Sequence, residues 1–293
     1  MDRLLHYSNK LVCYFLSVLL ALCLSFGAVS AVFAVTIGNE NFTVKYFSKD
    51  STVSLLTENL NECYQQLSDE TGIPKSVFIN AVGYDFIKSV QRTVIEGTQA
   101  SASLDFSSTT DIEKRFTGAI KKYDEEGSIK RSEQEIAKIS RKAVEAFNST
   151  CAIVNNRELM PIASFMYNEA VIAAIFLLVS ASACAGTEII LNGRRHKSYN
   201  YIATGLVASG EMMIIIPLIV VFSKLIDNSC ITNIEAYNIA IRSATQYSLY
   251  IIIAIGAAFL IAGILIFASV FKYYRRKLLE CDTETEIERK LIR

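Results

Sequence analysis

The most informative chemical group in this sequence is a single acid inside an apolar run. Glu211 lies near the middle of a stretch from Tyr201 to Phe222 that is long enough to cross a bilayer. A carboxyl group at that depth is costly and marks either a functional site or a polar packing contact. On a helix, Thr204 shares a face with Glu211, and Ser209 lies beside that face. The sequence therefore predicts an intramembrane polar site of Glu211, Thr204 and Ser209, which either handles ions or protons or fixes helix packing.

The sequence contains few residue patterns that indicate metal binding, catalysis or nucleic-acid binding. The chain has two histidines and seven cysteines without a C-x-x-C pair, which argues against metal sites and thioredoxin-type centres. We find no Gly-rich phosphate loop and no Ser/His/Asp set. The formal net charge is zero, so no basic field indicates nucleic acid. We therefore expect no metal, no cofactor and no nucleic-acid partner, and we expect that the protein is not an enzyme.

Four apolar runs, separated by polar segments, organise the 293 residues. Each is long enough to span a membrane as a helix. For the first run the alternative is a cleaved signal peptide, since small residues near Ala31 and Ala34 resemble cleavage sites. The run continues past both, which favours an uncleaved span. The predicted spans cover residues 11–37, 161–191, 201–223 and 247–271.

Basic residues beside these runs predict the orientation, because they concentrate on the cytoplasmic side of membrane proteins. The segments 1–10, 192–200 and 272–293 are therefore predicted to be cytoplasmic, with both termini inside. The segments 38–160 and 224–246 are then outside, in a multi-pass protein of the plasma membrane. The same basic residues can hold anionic lipid headgroups; they include Arg194, Arg195, Lys197, Lys272, Arg275, Arg276 and Lys277.

The polar block 38–160 has helical periodicity. One apolar stripe runs through Val53, Leu56, Leu60, Cys63 and Leu67 at spacings of three and four. Helix ends are also marked: Asp50 or Ser51 as a first cap, Gly72 before Pro74 as a stop and restart, and Ser132 with Glu135 as a capping box. A loop is predicted over 101–109. The last helix either continues into the second span or breaks at Pro161. The predicted fold is an all-α membrane protein with a helical-bundle extracytoplasmic domain between spans 1 and 2.

Cysteines on the predicted outer side suggest one cross-link. Cys151 and Cys230 both lie near the outer membrane face, where disulfides form. A Cys151–Cys230 disulfide is one interpretation, and free thiols are the other. Cys63 lies on the apolar stripe and is expected to be a core residue.

Small residues recur every four positions within the spans, at Ala173, Ala181 and Ala185 and again at Ala254, Ala258 and Ala262. Such strips let helices approach closely. They predict either a compact packing of the four spans within one chain or a homo-oligomer.

Two segments carry a family resemblance, Thr71–Phe78 (TGIPKSVF) and Tyr201–Gly210 (YIATGLVASG). They resemble uncharacterised integral membrane proteins of Gram-positive bacteria that share the order of one span, a helical outer domain and three spans. The layout also resembles permease subunits of the cell-division and macrolide-exporter type. However, the loop at 192–200 is shorter than their coupling segment. The first resemblance implies a layout but no activity.

Together these features favour a non-enzymatic membrane protein whose outer domain binds, senses or scaffolds. Because the cytoplasmic segments are too small for a signalling domain, a protein partner is expected in addition to the lipid bilayer. The first alternative is a small transporter or permease subunit that uses Glu211. The second alternative is an intramembrane enzyme.

Overall fold

The computed structural model describes residues 2–99, 107–151, 159–192, 195–227 and 234–291. These residues form ten α-helices and contain no strand, which confirms the all-α class. The helices are α1 (Asp2–Val35), α2 (Glu40–Phe47), α3 (Asp50–Thr71), α4 (Lys75–Ala81), α5 (Tyr84–Gln99), α6 (Ser107–Glu126), α7 (Glu133–Cys151), α8 (Leu159–Asn192), α9 (Arg195–Phe222) and α10 (Glu235–Leu291).

Four of these helices are long and apolar enough to cross a membrane. Their qualifying segments are Asn9–Val35, Asn168–Asn192, Lys197–Phe222 and Glu235–Lys277. A bilayer core about 30 Å thick needs about 20 helical residues, and each segment exceeds that length. The length and composition of these helices indicate a multi-pass membrane protein.

The chain divides into two compact units. The membrane unit consists of residues 1–34, 169–225 and 247–293, and the core unit consists of residues 35–168 and 226–246. The core unit therefore extends beyond the predicted segment 38–160 and includes a second piece of chain. This second piece belongs there because Ala236 and Tyr237, at the start of α10, are buried in the core of that unit.

Large apolar side chains hold the core unit together. Its helix α3 buries Val53, Leu56 and Leu60 along the predicted stripe, although Cys63 is only half-buried. Helix α3 packs on α4, α5 and α7, and α6 packs on α4 and α7. The Tyr64 ring lies 5.6 Å from the Phe78 ring and 5.9 Å from the Phe116 ring, measured between centroids. These three rings join α3, α4 and α6.

Two of the predicted helix boundaries are confirmed. Gly72 ends α3 with φ 70°, a left-handed conformation that glycine adopts without a steric penalty. Ser132 and Glu135 form the capping box before α7: the Ser132 backbone N–H donates to Glu135 Oε2 at 2.9 Å, and the Glu135 N–H donates to Ser132 Oγ at 3.3 Å. The cap predicted for α3 is wrong by one position or more. Lys49 is its N-cap, and Asp50 accepts a hydrogen bond from Lys88 instead.

Parts of three predicted loops are helical, and the tail, whose acidic end is predicted to be helical, belongs to a helix as well. The segment 192–200 is helical up to Asn192 and again from Arg195, and residues 107–109 of the predicted 101–109 loop belong to α6. Residues 235–246 of the predicted outer loop and 272–291 of the tail belong to the 57-residue helix α10. No proline interrupts α10, so polar composition alone did not end the helix. Whether α7 continues into the second span concerns residues 152–158, which lie outside the described residues.

Candidate functional site

A cleft of about 770 Å³ opens at one end of the membrane unit. All four long helices contribute to its wall. Asn9 lies at the start of the first membrane-crossing segment, Asn192 at the end of the second and Lys197 at the start of the third, while Phe271 lies near the end of the fourth. The cleft therefore lies where these helices leave the apolar part of their length.

The polar part of the cleft is basic. Lys10 and Lys197 line it, and both are exposed. Asn9, Asn192 and Asn200 add amide groups. Among the described residues, no acid lines the cleft and no ion pair joins either lysine to an acid. The two positive charges are thus available to a ligand.

Aromatic and hydroxyl contacts hold the wall in place. The rings of Tyr14 and Tyr201 meet edge to face, with centroids 5.2 Å apart. The Ser17 hydroxyl donates to the Tyr201 carbonyl at 2.8 Å, and the Thr204 hydroxyl donates to the Asn200 carbonyl at 2.9 Å. The contacts of Tyr14 and Ser17 with Tyr201 attach helix α9 to α1 beside the cleft.

Glu188 lies next to this wall in α8. The prediction from sequence did not assign this residue to a site. Its side chain has 0% exposure, and neither carboxylate oxygen has a hydrogen-bond partner among the described residues. The Glu188 backbone carbonyl accepts from Ser198 Oγ at 3.0 Å and from Asn192 Nδ2 at 2.9 Å. A buried acid without partners is costly and is a candidate for proton or ion binding.

The sequence placed Glu188 only near one end of the second span. A signal was present, because Ala181, Cys184 and Glu188 follow each other at spacings of three and four. All three are buried in the structure. The acid therefore shares a helix face with small residues that pack inward.

The structure does not bring Glu211, Thr204 and Ser209 into one site. Ser209 is fully buried, and its hydroxyl lies 3.1 Å from the Ser25 hydroxyl of α1. Glu211 and Thr204 are exposed on the membrane unit, and Thr204 lines the basic cleft. Residues two apart on a helix point about 200° away from each other, which separates Ser209 from Glu211.

The proposed cross-link and the basic residues are only partly described. Cys151 is a buried cysteine, and burial raises the pKa of its thiol well above the usual range. Cys230 lies outside the described residues, so the disulfide stays a prediction. Among the basic residues, the exposed ones are Lys197, Lys272, Arg275, Arg276 and Lys277. Arg195 begins α9 and Arg194 lies outside the described residues; neither side chain is described.

In the described part of the chain, no group of three or more His, Cys, Asp or Glu side chains is placed to hold a metal ion. No protein-family model, curated protein or solved structure matches this chain. The candidate site is therefore defined by its own geometry, which consists of the basic cleft and the buried Glu188.

Proposed function

We propose that this is a non-enzymatic, multi-pass protein of the cell membrane whose core unit binds or senses outside the cell and couples to a protein partner. In this proposal both termini are cytoplasmic and the core unit is extracytoplasmic. The basic residues after α8 and in the last part of α10 support the orientation, because such residues are retained on the cytoplasmic side.

The observation that supports this proposal most strongly is the packing at the start of helix α10. Tyr237, near its start, is 1% exposed within the core unit. The Tyr237 hydroxyl lies 3.0 Å from Gln91 Oε1 and 2.5 Å from the Cys151 carbonyl, which also accepts from Gln91 Nε2 at 2.6 Å. The start of α10 is thereby held to α5 and to the end of α7.

The same helix continues without interruption to Leu291. At 1.5 Å per residue, its 57 residues extend over about 85 Å. Because α10 begins in the core unit and also contains the fourth membrane-crossing segment, a change of packing around Tyr237 would be passed along the chain to that segment. This gives the core unit a mechanical connection to the tail.

Glu211 supplies a point of contact for a partner in the membrane. Its side chain is exposed, near the middle of α9, on a surface where lipid offers no hydrogen-bond donor. A partner helix with a polar or basic side chain would satisfy the carboxyl group. We therefore assign Glu211 to partner binding, in place of a role inside the four-helix unit.

The proposal is tested in two steps. In intact cells, a membrane-impermeant maleimide should label Lys138→Cys in the core unit and should fail to label Lys277→Cys in the tail until the cells are permeabilised. Wild-type protein sets the background from the native cysteines. Labelling of Lys277→Cys in intact cells would reject the orientation.

Partner binding is then measured by affinity purification after cross-linking in membranes. The wild-type chain should retain a specific protein, and Glu211→Gln should reduce its recovery several-fold. Thr204→Val, an exposed change on the same helix, is the control and should retain it. The partner proposal fails if nothing specific is recovered, or if both variants behave alike.

The buried Glu188 favours a second candidate, a small proton-coupled transporter or permease subunit. An acid enclosed by apolar helices binds and releases protons when a pathway opens to it. The purified chain in liposomes should then show a pH-driven flux that Glu188→Gln abolishes and Glu211→Gln leaves intact. Absence of flux, or an equal loss in both variants, would exclude this use of Glu188.

A further inference from the structure

The basic cleft of the membrane unit has the composition of a binding site for an anionic amphiphile. One part presents Lys10 and Lys197, with no acid among the described lining residues. The other part is apolar and includes Phe267, Val270 and Phe271 of α10. A ligand that matches both parts carries a negative group joined directly to a hydrocarbon chain.

The position of the cleft along the helices narrows the class of ligand. Lys10, Asn192 and Lys197 lie within a residue or so of the ends of their membrane-crossing segments. Tyr14, Tyr201 and Tyr274 also line the cleft. Tyrosines are enriched at the membrane interface, at the level of lipid headgroups. The cleft therefore meets the bilayer at the depth where lipid phosphates lie.

The charge of the cleft then distinguishes between lipids. Two lysines in a cleft whose described lining contains no acid favour a headgroup with net negative charge, and each basic residue near a membrane surface adds to the attraction. A zwitterionic headgroup would bring its own cation close to these lysines. A free phosphate ion would leave the apolar wall of α10 without a ligand.

We propose that the cleft binds one anionic phospholipid molecule. Lys10 and Lys197 hold the phosphate, and the amide groups of Asn9, Asn192 and Asn200 donate hydrogen bonds to the headgroup. An acyl chain lies along Phe267 and Val270. Because α1, α8, α9 and α10 all line the cleft, the bound lipid joins all four membrane-crossing helices. This inference is independent of the proposed sensing function.

The test is native mass spectrometry of the full chain in detergent, titrated with phosphatidylglycerol or phosphatidylcholine of the same acyl chains. The wild-type protein should bind the first phosphatidylglycerol molecule about tenfold more tightly than phosphatidylcholine. The double variant Lys10→Gln/Lys197→Gln should lose most of this preference. Glycerol phosphate, which lacks acyl chains, should compete poorly.

A matched control separates the cleft from general surface charge. Lys272→Gln/Lys277→Gln removes two exposed charges from α10 that do not line the cleft and that attract headgroups only as general surface charge, so this pair should retain most of the preference. The proposal is overturned if the wild type binds both lipids equally or if the control pair loses as much preference as the cleft pair. If glycerol phosphate competes as well as phosphatidylglycerol itself, the lipid assignment is overturned and the cleft is a site for soluble phosphate compounds.

Discussion

The core unit and the membrane unit are both helical, yet they are held together by different side chains. The core unit buries large rings, with Phe78, Phe116 and Phe147 at 0% exposure. In the membrane unit, many of the buried positions are small, such as Ala181, Cys184, Ala203 and Ser209. Many of its large apolar residues point outward, with Phe176 at 68% exposure and Ile190 at 80%.

The difference follows from the solvent that each unit meets. In water, removing apolar surface drives packing, so the largest side chains are most valuable inside. Between helices in lipid this driving force is absent, because lipid tails are as apolar as the side chains. Close approach of small residues and hydrogen bonds between helices then hold the unit together, as with Ser25 and Ser209.

Glycines show the close approach directly. A Cβ atom added at Gly210 of α9 would lie 2.6 Å from the Gly256 carbonyl oxygen of α10, and one at Gly263 would lie 3.0 Å from the Ala203 carbonyl. Helices α9 and α10 therefore touch through their backbones. The alanine strip predicted for the fourth span is not this contact, because Ala254 and Ala258 are exposed.

The largest expected effect contrasts one phenylalanine from each unit. Phe116→Ala should destabilise the core unit by about 3–5 kcal/mol, because it leaves a cavity beside Tyr64 and Phe78. Phe176→Ala should change stability little, since most of its side chain already faces outward. Amide hydrogen exchange of the full chain in detergent measures both. Similar losses of protection in the two variants would contradict the contrast between the units.

A smaller effect is expected where backbones touch. Gly210→Ala should lower the stability of the membrane unit by about 1–3 kcal/mol, because α9 and α10 must separate to admit the methyl group. The control is Gly186→Ala, since no heavy atom outside its own stretch of helix lies within 4 Å of a Cβ added there. The midpoint temperature of unfolding of each variant is measured with a dye that reacts with buried thiols as heating exposes them. Equal midpoints would show that the glycine contact does not stabilise the unit.

The smallest effect concerns the capping box of α7. Ser132→Ala should cost about 1 kcal/mol at neutral pH, because it removes the side-chain acceptor of the Glu135 N–H. Hydrogen exchange at the start of α7 measures the loss. An unchanged exchange rate there would indicate that the cap contributes nothing.

The same box predicts a pH dependence. The backbone N–H and hydroxyl of Ser132 donate to the Glu135 carboxylate and lower its pKa. A carboxyl with a lowered folded pKa stabilises the fold above its unfolded pKa of about 4.3. This contribution is lost as the pH falls through the folded value. Protection of α7 should therefore decline below about pH 4 in the wild type and less so in Glu135→Gln.

Local patterns in the sequence determined much of the secondary structure of this protein. The four apolar runs, the stripe of α3, the glycine stop at Gly72 and the Ser132 capping box depend on residues that are neighbours along the chain, and all are confirmed. Each is set by helix periodicity or by backbone conformation, which a single segment carries by itself. The orientation and the Cys151–Cys230 pairing stay predictions.

Only the tertiary structure decided which helix faces meet. A helical periodicity places Glu211 and Glu188 equally well on faces with small residues, but packing buries Glu188 and exposes Glu211. Likewise, the sequence does not show that Lys10 and Lys197 line one cleft, because they lie in different helices. In lipid, inward and outward faces are both apolar, so the polarity contrast that orients helices in water is missing. The buried acid and the basic cleft therefore emerge only when the four helices are assembled.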